Sequence, residues 1–169
     1  PRRGISLDSN LILKAEVTRG CLTMNSNIHI RTAKDSDIAA ITAIYAYHVL
    51  HGRGSFESDP PDAEEMARRM SDVVSRGLPY LVAESDNKVV GYAYATLYRT
   101  RIAYRFTLED SVYIDHTQMG RGIGAALLEA LIPACKAWGC KQLVAVIGDS
   151  KNVASVKVHE KLGFQHSGV

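Results

Sequence analysis

Hydrophobic positions along this chain switch between a period of two and a period near 3.6, and the switches mark out alternating strands and helices. The run Ile28-His29-Ile30-Arg31 alternates like a short strand, after which Ile38, Ile41, Tyr45 and Val49 recur at helical spacing between Asp35 and Leu50. Pro60 and Pro61 lead into Asp62, a capping residue with Glu65 three places on; the helix it opens is expected to reach about Arg76 and stop at Gly77. Two β-rich runs follow, "YLVAE" and "VVGYAYATLY", and the "SDNK" between them reads as a hairpin turn.

"FTLEDSVYID" supplies another strand. Beyond the glycines at 120, 122 and 124, Ile123, Leu127, Ala130 or Leu131, Ala134 and Trp138 mark a long helix. Pro133 lies inside it and removes the N–H that would bond to Glu129, so a kink or an early break is expected there. "KQLVAVIG" reads as a buried strand and Asn152 to Leu162 as an amphipathic helix ending at Gly163. The order β-α-α-β-β-β-α-β-α predicts an α/β domain with a mixed sheet. Residues 1–23 precede Met24, a natural start, and are expected to be an extension or expression remnant outside a domain of residues 24–169.

At 169 residues the chain is one domain's worth. Twenty Lys and Arg against 18 Asp and Glu leave a net charge of +2, which gives no footprint for nucleic acid. No apolar run reaches membrane-spanning length, and no membrane partner is expected. The three cysteines, Cys21, Cys135 and Cys140, are odd in number and form no C-x-x-C pair, which argues for reduced thiols in the cytoplasm. His48 and His51 stand three apart, but no second ligand pair accompanies them, so no metal site is expected.

The glycine-rich turn is the first candidate for chemistry. Gly120, Gly122 and Gly124 let the backbone take positive φ and approach a ligand, and a helix start offers unpaired N–H donors to an anion. A Walker-type loop would need Lys then Ser or Thr after its last glycine, and Ala125 and Ala126 stand there instead. A dinucleotide fingerprint fits loosely as Gly120-x-Gly122-x-x-Ala125, yet polar residues from Asp115 to Gln118 separate that turn from its strand. A glycine turn with no ligand stays open on these residues alone.

Longer stretches narrow the choice. "AIYAYHVL", "SFESDPP", "GLPYLVAE", "GYAYATLYRTRIAYRFTLEDSVYI" and "VAVIGDSKNVASVKVHEKLGF", with the Gly120-Arg121-Gly122-Ile123-Gly124 turn, resemble the GNAT acetyltransferase superfamily and within it the phosphinothricin and methionine sulfoximine N-acetyltransferase group. The resemblance runs from about Ile28 to Phe164. It implies a mixed, mostly antiparallel sheet flanked by helices, acetyl-CoA as co-substrate, and a small amine such as phosphinothricin, methionine sulfoximine or methionine sulfone acetylated on its α-amino group, in a homodimer. The turn, Gly120, Arg121, Gly122, Ile123, Gly124 and Ala125, would grip the pyrophosphate; Val112, Tyr113 and Ile114 would pair with the pantetheine arm; Asn152 would also touch the cofactor. Two departures stand out: Met119 fills the place where the family usually has Arg or Gln, and the chain ends at Val169, where relatives add closing strands that are expected to be missing here.

Within that resemblance, acetyl transfer needs a group to take the ammonium proton, and Glu109 matches the family's acidic residue. The alternative for Glu109 is a solvated carboxylate or a partner for Arg105. A backbone N–H near Val112 would face the developing oxyanion. His159 stands where many superfamily members carry a tyrosine, as a candidate acid for the leaving thiolate or as a packed helix histidine. Arg99 would take the substrate carboxylate, with Asp110 and Ser111 on the substrate side and Arg101 left as a surface charge. Tyr98, Tyr104 and Phe56 either line the pocket or fill the core. Another small amine or a protein amino terminus as acceptor, and a non-catalytic acyl-CoA-binding module, remain as alternatives.

Overall fold

The computed structural model describes residues 11–16, 27–52, 55, 57–148 and 152–168. Cys21, Met24 and Phe56 lie outside the described residues. The strands are β1 (Leu11–Glu16), β2 (His29–Thr32), β3 (Tyr80–Ser85), β4 (Lys88–Leu97), β5 (Thr107–Ile114), β6 (Gln142–Ile147) and β7 (Gln165–Gly168). The helices are α1 (Ile38–His51), α2 (Ala63–Ser75), α3 (Ile123–Trp138) and α4 (Val153–Lys161). One sheet runs in the order β2-β3-β4-β5-β6-β1-β7, and among the described strands β5 and β6 alone run parallel.

Local sequence explains several joints. Asp86 and Asn87 both take left-handed backbone, φ 51° and 59°, the geometry of a two-residue hairpin whose twist suits the strands it joins. Asp62 caps α2 by accepting the Glu65 N–H at 2.9 Å; the Glu65 carboxylate does not fold back but is held by Arg68 and Arg69. Pro133 does not end α3, which continues to Trp138. The proline itself is exposed, while its neighbours Leu128, Leu131 and Cys135 are buried and keep the helix on the sheet.

The two faces of β4 differ. Gly91, Ala93 and Ala95 point one way and let α3 approach; a Cβ on Gly91 would stand 2.9 Å from Ile114 Cδ1 and 3.2 Å from Ile123 Cγ2. Tyr92, Tyr94 and Thr96 point the other way, toward α1 and α2. Tyr80, Tyr92 and Tyr94 stack with ring centroids 4.9 to 6.2 Å apart, and Tyr113 of β5 continues the row at 5.3 Å from Tyr92.

The sheet also crosses the boundary expected at Met24 and does not stop at β6. Strand β1 pairs along the whole of β6, from Leu11↔Ile147 to Glu16↔Gln142, and β7 pairs on its far side. Leu13 and Ala15 are buried in the main core while Lys14 and Glu16 alternate outward. Strands β1 and β7 thus extend the sheet past β6. The reason is the apolar alternation of Leu11, Leu13 and Ala15, which completes a half-buried strand wherever an open edge receives it.

Candidate active site

Strand β5 runs from the core to the surface and presents its side chains alternately to the two layers of helices. The parallel pairing with β6 extends only from Thr107↔Gln142 to Asp110↔Ala145. Beyond Asp110 the described pairing with β6 ends, while Ser111 to Ile114 stay paired with β4. A cleft of about 620 Å³ opens at that point, lined by Val112, Tyr113 and Ile114, by the turn from Gln118 to Ala125, and by α4.

The turn takes backbone that glycine adopts most readily. Gly120 and Gly122 have φ of 78° and 81° with nothing within 4 Å of where a Cβ would sit, so conformation and not crowding demands glycine. Gly122 caps α3 without a side-chain partner, and the first helical bond runs from Ala126 N–H to its carbonyl, which leaves earlier N–H groups free for a ligand. Arg121 reaches Gln118 through a hydrogen bond, and Met119 is exposed, outside the backbone grip. Asn152 lines the same cleft and caps α4, its carboxamide oxygen accepting the Ser155 N–H at 3.3 Å. His48 of α1 donates from Nε2 to the Ile114 carbonyl at 2.8 Å and also lines the cleft; only its spacing to His51 had marked it in the sequence.

On the α1–α2 face, Glu109, Ser111 and Tyr113 of β5 stand opposite Thr96, Tyr94 and Tyr92 of β4. A cavity of about 380 Å³ there has a tyrosine floor of Tyr45, Tyr80, Tyr92 and Tyr94, with Thr96 and Arg69. Through Leu97 and Thr100 it adjoins a recess of about 350 Å³ lined by Arg99, Arg101 and Arg105. Burial, and after it the charge of Asp110, push the Glu109 carboxyl above the usual range. Among the described residues Glu109 has no ion pair; Arg105 instead lies 4.6 Å over the Phe106 ring and donates to the Ile102 carbonyl. Arg99 is exposed, its guanidinium 5.0 and 5.3 Å from the rings of Tyr98 and Tyr104, so these half-buried tyrosines pack against the arginine and do not fill the core.

Asp110 departs from its expected place on the substrate side. One residue on from Glu109, it points to the opposite face, where its side chain is 2% exposed and His159 Nε2 approaches Oδ2 at 2.9 Å. His159 Nδ1 donates to the Ser155 carbonyl at 2.7 Å. A carbonyl only accepts, so Nδ1 carries a proton; with Asp110 as its carboxylate, Nε2 carries one too and the pair is imidazolium with carboxylate. Burial works against the His159 charge, but the bond and charge of Asp110 and the Ser155 carbonyl outweigh it, and His159 titrates above its ordinary value.

Other groups missed in the sequence cluster at the mouth of the tyrosine cavity. Arg69 donates to Glu57 at 2.7 Å and to Glu65 at 2.7 Å, and Tyr45 donates to Glu57 at 3.0 Å. These contacts join α1, α2 and the segment between them. The two described cysteines are inert by environment: burial pushes both thiols up, that of Cys135 farthest.

A strand leaving its neighbour, a glycine turn opening a helix and a carboxylate on the far side of the same strand meet at this end of the sheet. The chain belongs to the acetyltransferase (GNAT) family, whose family model matches residues 36–164. It is 54% identical over 140 residues to a phosphinothricin N-acetyltransferase of Alcaligenes faecalis, covering 83% of this chain and 71% of that protein. It is 36% identical over 135 residues to an L-methionine sulfoximine/L-methionine sulfone acetyltransferase of Salmonella typhimurium, covering 80% and 78%. A GNAT superfamily phosphinothricin acetyltransferase from Sinorhizobium meliloti, solved in complex with AcCoA, superimposes with a TM-score of 0.79 at 43% identity over 82% of this chain and 75% of that one. Like them, this chain is an acetyltransferase.

Proposed function

We propose that the chain acetylates the α-amino group of a small amino acid analogue of the phosphinothricin, methionine sulfoximine or methionine sulfone type. The observation that carries this reading is Glu109: a half-buried carboxylate with a raised pKa and no ion pair among the described residues, on the strand that also walls the cleft. Acetyl-CoA supplies the activated acyl carbon and the thiolate leaving group. Glu109 accepts the ammonium proton, directly or through a water, so that the neutral amine attacks. The Val112 N–H donates where negative charge develops on the carbonyl oxygen. N–H groups of Gly120 to Ala125 hold the pyrophosphate and the open edge of Val112 to Ile114 holds the pantetheine arm. Arg99, from the recess beside the tyrosine cavity, takes the substrate carboxylate, and Ser111 lies on the same side.

His159 is the candidate acid for the thiolate, though both its protons are committed to Ser155 and Asp110. A His159→Phe variant that keeps full turnover assigns the ring to the wall of the cleft alone. Residues 11–16 work with 24–169 as one catalytic unit, assembled as a cytoplasmic homodimer; the reduced thiols and the exposed edge strand β7 support that reading. The test is release of CoA from acetyl-CoA across phosphinothricin, methionine sulfoximine, methionine sulfone, the common amino acids and a polyamine. Turnover with the tetrahedral phosphorus or sulfur analogues is expected; turnover with the polyamine alone overturns the reading.

A further inference from the structure

The Asp110–His159 pair stands where the cleft begins. Pairing between β5 and β6 ends at Asp110↔Ala145, and the bond from Asp110 to His159 ties β5 to α4 at that same residue. Helix α4 supplies one wall of the cleft through Asn152, Val153, Ser155, Val158 and His159, while β5 and the glycine turn supply the other. The bond therefore joins the two walls at their hinge. Asp110 Oδ1 is buried with no hydrogen-bond partner, and both residues line a recess of about 70 Å³ at the base of the opening. That volume is large enough for a water, and an unsatisfied acceptor on a residue lining it sets the pair at the base of the cleft as well as against the core.

We propose that Asp110 is a positioning residue for acetyl-CoA: its carboxylate latches the doubly protonated His159 ring and so fixes α4 at the separation from β5 that the pantetheine arm requires. The latch is an ion pair in a dry place, so it depends on the protonation of His159. The groups facing it are few. From β5 there is Asp110, with Glu109 beside it on the opposite face; from α3, Cys135, whose thiol the Asp110 charge helps to push up; from α4, the Ser155 carbonyl; from β6, Ala145; and the Phe164 ring stands edge-on at 4.9 Å. None of these offers His159 a second carboxylate. The latch is closed while the ring is charged, below its raised pKa, and opens as pH rises through that value.

This inference rests on the cleft being the acetyl-CoA site and not on which amine is acetylated. Binding of acetyl-CoA by calorimetry from pH 6 to 9, with no amine present, tests it beside an NMR titration of the His159 ring in the free protein. The dissociation constant is expected to weaken about fivefold or more as the ring loses its proton, a coupling in the usual allosteric range. In Asp110→Asn, which keeps an acceptor for the ring and loses the charge, both the ring titration and the binding midpoint should move to lower pH together. His159→Gln should bind with no dependence over that range. An affinity flat with pH in the wild-type protein, or a binding midpoint that stays put while the ring titration moves, overturns the latch. Should both variants fail to fold, the wild-type comparison still decides.

Discussion

The two faces of β5 carry adjacent carboxylates in opposite circumstances. Glu109 stands half-buried on the tyrosine side with no cation paired to it among the described residues, its proton affinity raised by burial. Asp110, one residue on, is sealed on the other side against an imidazolium. Both sit at the point where β5 leaves β6. A carboxylate that must exchange protons is kept short of partners, whereas one that must hold geometry is given a partner of opposite charge and hidden from water. The pleat alone separates the two roles.

The sharpest way to break this contrast is to remove each carboxylate in turn. Glu109→Gln should lower turnover roughly 10²- to 10⁴-fold, the usual worth of a positioned base. Acetyl-CoA affinity, measured separately by calorimetry, should hardly change. In the wild-type enzyme, the base works only when ionised, so kcat/KM should fall as pH drops through the raised Glu109 value, at a pH above the ordinary Glu figure of 4.5. Unchanged turnover in Glu109→Gln would remove it as the base.

Asp110→Ala should act on stability first. It strands a buried imidazolium, for which about 3 kcal/mol in denaturant unfolding is expected, the low end for a broken buried pair because imidazole can shed its proton. Since His159 is raised in the folded state, the stabilisation is fully present below the ordinary 6.5 and is lost as pH climbs through the folded value. The gap between wild type and Asp110→Ala should therefore close on the alkaline side. A gap that widens there would mean the pair was assigned the wrong charge state.

How much of this was legible beforehand follows from what is local. The capping Asp62, the hairpin at Asp86 and Asn87 and the turn glycines act through their own neighbours, and sequence spacing exposed them. "TLEDSV" was also legible in part. Read as a strand it separates Glu109 from Asp110, whereas the family motif read as a string put both on the substrate side. The His159 partner of Asp110, the Glu57–Arg69 contact and the Ile114 carbonyl held by His48 all join residues remote in sequence, and no periodicity signals such pairs. Strand β1 is the extreme case. Its apolar alternation was visible, but the edge it completes belongs to β6, at the other end of the chain.

That strand gives a third test, aimed at the far side of the wall that Asp110 helps to hold. Leu13 is fully buried, and Leu13→Ala should cost about 2–3 kcal/mol, within the usual range for a lost core leucine. The loss should be independent of pH, unlike that of Asp110→Ala, because no charge is touched. Thermal unfolding at two pH values separates the two effects. A silent Leu13→Ala would detach β1 from the folded unit.

The smallest expected effect concerns the glycine turn, which serves the cofactor side through backbone alone. Gly122 sits at φ 81° with open space around it, so Gly122→Ala meets no clash and bears only the cost of left-handed backbone, about 1–2 kcal/mol. If alanine instead relaxes to negative φ, the N–H groups that open α3 turn away from the anion. Either way the KM for acetyl-CoA should rise, while the KM for the amine and the pH at which Glu109 loses its proton stay fixed, because that carboxylate lies across the strand from the turn. A change confined to the amine would mean that the two faces of β5 do not divide the work as their side chains suggest.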